Sequence, residues 1–238
     1  MASPSTSTSS VVSPFLSFIG VEMVDLYVGP SKTHYRVHKA FLCSKIPYFN
    51  KMFNSNFSEA LSNSATFPED STEAFDILIE WLYTGSLRPL ELNLSSQKCN
   101  WNVYSFYILV DKLCMSDLMN ETMDFKRRFD YENSRIMRFN TARNICASSP
   151  QGSKLRLYAL NCTWLSLFVV QASDIRFDEL LSVALYNDSD FSDDFLTIFE
   201  DKIGDRRCVE PRVGNDGLYH VHGKGISCSC PPDARKDD

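Results

Sequence analysis

The first regular alternation of apolar and polar positions begins at Met23. Val24-Asp25-Leu26-Tyr27-Val28 reads as a strand and Gly29-Pro30-Ser31-Lys32 as a turn. Tyr35-Arg36-Val37 returns as the second arm of a hairpin, with a connection longer than a minimal tight turn. Two short helices are expected next. The first lies near Lys39–Cys43, and the second opens at Pro47, where proline suits the first helical turn. Tyr48, Phe49, Met52 and Phe53 are spaced to form one apolar edge of that second helix. Ala65-Thr66-Phe67 reads as a third short strand, cut off by Pro68.

The clearest single element is a helix from about Ser71 to Tyr83. Asp70 is placed as its N-cap, with Glu73 three residues on, close to a capping box. Phe75, Leu78, Ile79 and Leu82 then fall at i, i+3, i+4 and i+7, a stripe that must face a core. Gly85 suits a left-handed stop. Leu87 to Asn100 reads as a loop. Another helix follows, with Val103, Phe106, Tyr107, Val110 and Cys114 near one face. Helical periodicity continues through about Lys202, broken at Ser149-Pro150-Gln151-Gly152 and at Asn187-Asp188-Ser189-Asp190. Three strands near the front followed by mostly helix is an α+β pattern with a helical extension.

Composition narrows the function classes. With 44% hydrophobic residues in 238, the chain holds enough apolar material for a core. Residues 1–14, rich in Ser, Thr and Pro, have nothing to bury and read as a disordered tail. Between Pro30 and Ile203 glycine occurs only at Gly85 and Gly152, which leaves no Gly-rich phosphate cradle there. A net charge of −6 argues against a large electrostatic footprint for nucleic acid. The cluster Lys126-Arg127-Arg128 reads as a solvated helix face. No positive start of a signal peptide is present, and the most apolar later stretch, Leu155–Val170, is interrupted by Arg156, Asn161, Thr163 and Ser166. An intracellular protein, cytoplasmic or nuclear, with no membrane partner is therefore expected, its eight cysteines reduced or, where they cluster, metal-bound.

Several blocks in Val24–Gly85 carry a family resemblance. The run Asp25-Leu-Tyr-Val-Gly-Pro, then Tyr35 through His38-Lys-Ala-Phe-Leu-Cys-Ser-Lys-Ile-Pro to Phe53, resembles the opening half of a BTB/POZ domain. Phe67-Pro-Glu-Asp, Glu73-Ala-Phe and Trp81-Leu-Tyr-Thr-Gly85 resemble its second half, and Asp111–Leu118 resembles its closing helix pair. The style is similar to that of the short BTB proteins of filamentous fungi. The implied fold is a small three-stranded sheet capped by helices, followed by an all-helical extension. The implied organisation is a tail over 1–19, the BTB/POZ domain over 20–125, a helical extension over 126–203 and a Cys/His tail over 204–238. Asp25 and His38 resemble polar positions whose buried hydrogen bonds hold the first strand against the first helix; read from residue type alone, His38 is a core-edge histidine.

What the resemblance implies is protein binding. In cullin-binding members, the helix matching Pro47–Asn54 presents an aromatic edge, here Tyr48, Phe49, Met52 and Phe53. The loop after it carries a hydrophobic residue, any residue, then an acid, matched here by Phe57-Ser58-Glu59. Phe57 would supply an apolar anchor and Glu59 an acceptor at the rim. The alternative is that Phe57 packs under its own loop and Glu59 is merely solvated. Two protein-binding roles follow: an adaptor between a cullin-3 ubiquitin-ligase scaffold and a substrate, or a self-associating scaffold or transcriptional regulator without its own DNA reader. Dimeric animal members carry a long N-terminal segment that swaps between partners, whereas here only the tail and Phe15–Gly20 precede the first strand. Phe15, Leu16, Phe18 and Ile19 could still pair in a homodimer, with a monomer or another contact as the alternatives.

Past Gly204, Cys208, His220-Val-His222 and Cys228-Ser-Cys230 have metal-like composition. On an extended strand the two histidines would share a face, and imidazole with thiolate is the set zinc prefers. Two readings stand side by side: a structural zinc, or a loosely ordered tail with thiols, since the spacings match no standard finger. No other cofactor, catalytic residue or small-molecule substrate is expected. The chain lacks H-E-x-x-H, G-x-S-x-G and P-loop motifs.

Overall fold

The computed structural model describes residues 19–168, 189–204, 210–214, 217–223 and 228. The chain divides into two compact units, Met1–Thr72 and Glu73–Asp238. The class is α+β, as expected.

In the first unit, β1 (Met23–Val28) alternates strictly, with Val24, Leu26 and Val28 turned inward and fully buried. It pairs antiparallel with β2 (Thr33–His38), from Met23 opposite His38 to Val28 opposite Thr33. β3 (Ser64–Phe67) adds in parallel on the other side of β1, giving the order β2-β1-β3. The turn after β1 needs glycine. Gly29 has φ +74°, and a Cβ there would meet the Thr72 hydroxyl at 2.8 Å. Its N–H donates to the Phe67 carbonyl at 2.9 Å, tying the turn to the end of β3.

Three helices stand around this sheet: α1 (Lys39–Lys45), α2 (Pro47–Phe53, with proline in the first turn) and α3 (Ser58–Ser62). Phe49 and Phe53 stack at 6.1 Å, and Phe49 meets Phe67 edge-on at 5.9 Å. Asn63 closes α3 in the left-handed conformation, which asparagine tolerates. Its amide also joins a polar clamp. Lys39 Nζ donates to Glu22 Oε1 (3.0 Å) and Asn63 Oδ1 (2.9 Å), and Asn63 Nδ2 donates to the same Glu22 oxygen (3.0 Å). Those bonds hold the Glu22 carboxyl below its ordinary value.

Among its described residues the second unit is mainly helical, with one two-residue ladder. α4 (Thr72–Thr84) buries Ala74, Phe75, Ile77, Leu78 and Leu82, so Ile77 takes the place expected for Ile79, which is half-buried. Gly85, at φ +74°, ends the helix as expected. Glu73 does not act as a local capping partner; its carboxylate accepts the Asn102 N–H at 3.0 Å. Asn102 in turn caps α5 (Val103–Lys112), accepting from Tyr104 and Ser105. The expected loop before it contains β4 (Leu92–Asn93) paired with β5 (Lys98–Cys99). Cys114 departs from its expected face: α5 ends at Lys112, and Cys114 is exposed with φ +56°.

α6 (Ser116–Glu132) is followed by α7 (Phe139–Ser148), α8 (Lys154–Phe168) and α9 (Ser189–Gly204). α8 buries polar and apolar faces alike, the mark of a central helix. Phe139, Cys146, Leu160, Phe191, Phe195 and Ile198 form one cluster among these last three helices. The buried Arg156 joins them through bonds to the carbonyls of Cys146 (2.8 Å), Ser149 (3.2 Å) and Asp190 (3.0 Å) and through an ion pair with Asp194. No helix among the described residues is long and apolar enough to cross a membrane.

α6 also corrects the sequence reading. Lys126 and Arg127 are buried, and only Arg128 faces solvent. Lys126 pairs with the buried Asp130, which also accepts from Tyr158 at 3.2 Å. Arg127 donates to the carbonyls of Pro211 (2.9 Å), Val213 (3.2 Å) and Gly214 (2.6 Å) and lies 4.8 Å from the centre of the Tyr219 ring. A buried guanidinium needs such acceptors, and these come from the C-terminal residues.

Candidate functional site

The corner between α2 and α3 combines a rigid backbone with an exposed apolar side chain. The Ser55 hydroxyl donates to the Met52 carbonyl at 3.2 Å and accepts the Phe57 N–H at 3.3 Å. The Phe57 carbonyl accepts from Ala60 (3.1 Å) and Leu61 (3.4 Å) as α3 starts. Phe57 is thereby fixed at both ends of its peptide while its ring stands 64% exposed. Leu61, four residues on in the following helical turn, is 86% exposed. Glu59 is half-buried and accepts a bond from the Ser58 hydroxyl at 3.1 Å. The reading in which Phe57 packs under its own loop is therefore wrong. Beyond a bulky residue at i+4, the sequence held no signal for Leu61.

The expected aromatic edge of α2 divides. Phe49 is 0% exposed and Phe53 2%, so both belong to the core and neither faces a partner. Their burial follows from the stack and the Phe67 contact given above. Tyr48 and Met52 are half-buried and remain at the surface. At the other proposed contact, Ile19 is buried, and Phe15, Leu16 and Phe18 lie outside the described residues.

Asp25 does not make a buried strand–helix bond of the kind the resemblance implied. Asp25 is partly exposed and pairs across the hairpin with His34 Nε2 at 2.7 Å, while the His34 ring stacks on Tyr27 at 4.9 Å. His38 precedes α1 without a side-chain cap. The Glu22–Lys39–Asn63 clamp links the residue before β1 to the start of α1.

Among the described residues, one group of histidine, cysteine and acidic side chains gathers closely enough to hold a metal ion: His220, His222 and Cys228, with one ligand atom of each within 4.8 Å of the others. His220 is 3% exposed and His222 is open to solvent. Their rings lie 5.8 Å apart, on an irregular segment rather than an extended strand. Cys208 and Cys230 lie outside the described residues.

A cleft of about 370 Å³ is lined by Glu73, Tyr104, Lys126, Asp130 and Arg135 among others. Several of its charges meet within it: Asp130 takes Lys126 and, at 3.8 Å, Arg135, and Glu73 takes the Asn102 N–H. The thiols of Cys43 and Cys162 are pushed up by burial, Cys162 to about 12, which keeps them protonated and poorly nucleophilic.

Among known families, the BTB/POZ domain matches the chain over residues 20–128. No curated protein matches it.

Proposed function

Because residues 20–128 are a BTB/POZ domain, a protein–protein interaction module, we propose that this chain is an adaptor that docks on a cullin-3 ubiquitin-ligase scaffold and presents a substrate to it. The observation that carries the proposal is Phe57, a phenyl ring 64% exposed on a backbone held at both ends. A ring of this kind enters a partner's pocket with little ordering cost, because its backbone is already fixed. Leu61 broadens the apolar contact. Glu59 supplies an acceptor at the rim, and Tyr48 and Met52 supply the adjoining surface of α2. This set replaces the one expected from sequence by removing Phe49 and Phe53 and adding Leu61. Recognition of the substrate falls to the helices beyond the BTB/POZ domain.

Co-purification of the full chain with a cullin-3 scaffold tests this. The intact chain is expected to retain the scaffold, and Phe57→Ala with Glu59→Ala to weaken binding by about 30-fold or more, as for a central anchor. Retention of the scaffold by the double variant, or no retention by the intact chain, contradicts the adaptor role. The second outcome hands the module to self-association instead.

A further inference from the structure

We propose that His220, His222 and Cys228 form a zinc site that clamps the C-terminal residues onto α6. His220 Nδ1 stands 3.4 Å from Cys228 Sγ. That is about the ligand-to-ligand spacing of a tetrahedral ion with bonds of roughly 2.0–2.3 Å. The other ring nitrogen, Nε2, is 2.9 Å from Asp124 Oδ1. A carboxylate only accepts, so the proton sits on Nε2 and the Nδ1 lone pair points toward the thiol. Metal-bound histidines are oriented in this way, by a carboxylate on the far nitrogen. Asp124 is itself positioned by Arg127 Nη1 at 3.5 Å.

The backbone between the ligands is held as firmly. Val221, between the two histidines, donates its N–H to Asn120 Oδ1 at 2.7 Å, and its carbonyl accepts from Asn120 Nδ2 at 3.1 Å. Gly217 starts the turn with φ +68°, and its carbonyl accepts the His220 N–H at 3.0 Å. A Cβ on Gly217 would lie 2.8 Å from Cys228 Cβ and 3.0 Å from its Sγ, so only glycine lets Cys228 come so close. Lys154 Nζ holds the next carbonyl, that of Leu218, at 2.8 Å. A simple thiol–imidazole hydrogen bond accounts for His220 and Cys228, but not for His222 converging on the same point.

Two imidazoles and one thiolate suit zinc, whereas magnesium and calcium take oxygen ligands. On binding, the Cys228 thiol gives its proton to solvent as the Sγ–zinc bond forms, and no electron moves. A cavity of about 480 Å³ bordered by Gly152, Ser153, Gly217, His222 and Gly223 gives the ion an entry path. Because Asn120, Asp124 and Arg127 all belong to α6, the ion would lock the described residues 211–214, 217–223 and 228 onto that helix.

The test uses the full chain, stripped with a chelator and titrated with cobalt(II), then with zinc. One equivalent of cobalt is expected, with a thiolate-to-metal charge-transfer band that zinc abolishes and that Cys228→Ser lacks. Zinc is expected to raise the melting temperature. His222 is exposed, so His222→Ala leaves the fold intact; it should weaken binding about tenfold or more and cancel the thermal gain. Asp124→Asn should cost roughly 10–100-fold in affinity, as orienting carboxylates do. Absence of stoichiometric uptake overturns the proposal. So does uptake that is unchanged in both His222→Ala and Cys228→Ser, which would assign the metal to other cysteines.

Discussion

Phe57 and Arg127 invert the rule that apolar side chains are buried and charged ones exposed. The α2–α3 corner of the first unit leaves a phenyl ring in water, held by backbone hydrogen bonds. α6 of the second unit takes a guanidinium out of water, to 5% exposure, and surrounds it with three carbonyls and an aromatic ring. Exposing the ring forgoes roughly 2 kcal/mol of burial, which docking on a partner would restore. Burying the charge is tolerable only with acceptors already in place. An apolar group left open by the described residues is available to another protein. A charged group that the chain itself satisfies points inward, to its own C-terminal residues.

The largest effect expected from breaking this contrast is at Arg127. Arg127→Ala removes three charge-assisted bonds and should lower unfolding stability by about 2–4 kcal/mol, read from urea midpoints. A loss under about 0.5 kcal/mol would mean the residue is solvated, as its charge run suggested. Phe57→Ala is expected to leave stability within about 0.5 kcal/mol, as for a surface change, while weakening scaffold retention. Stability lost along with binding would place the ring in the fold.

The smallest effect concerns the Glu22–Lys39–Asn63 clamp. The Glu22 carboxyl is held below its ordinary value of 4.5 by the Lys39 and Asn63 hydrogen bonds. Its contribution is therefore present in full above that value and fades as pH falls through the lowered one. The stability gap between the wild type and Lys39→Met should stay constant above pH about 5 and narrow in acid. A gap that widens in acid would show that the carboxylate is not what Lys39 holds.

Apolar periodicity made much of the fold legible. The alternation at Val24, Leu26 and Val28 and the stripe at Phe75, Leu78 and Leu82 appear in the structure as buried faces. Polar partnerships between distant residues were not legible. Lys126-Arg127-Arg128 reads locally as a solvated face, and nothing nearby announces that Arg127 bonds to carbonyls 84 to 87 residues away. Glu73 reads as a cap for its own helix because its actual partner, the Asn102 N–H, is 29 residues away. At the candidate site, Phe57 and Glu59 were visible as a short motif. Phe49 and Phe53 were over-read, because helical spacing gives a shared edge but not its direction. At the C-terminal cluster, His-x-His marked the two histidines that gather there, whereas Asp124 and Gly217 had no local signal.

Hydrogen–deuterium exchange of the full chain, with and without a cullin-3 scaffold, is the most direct measurement of the docking claim. Slowed exchange over residues 47–62, centred on the Phe57–Leu61 turn and absent in Phe57→Ala, is the expected result. Unchanged exchange there, or protection confined to the helices from Val103 onward, would contradict the assignment of this corner as the docking surface.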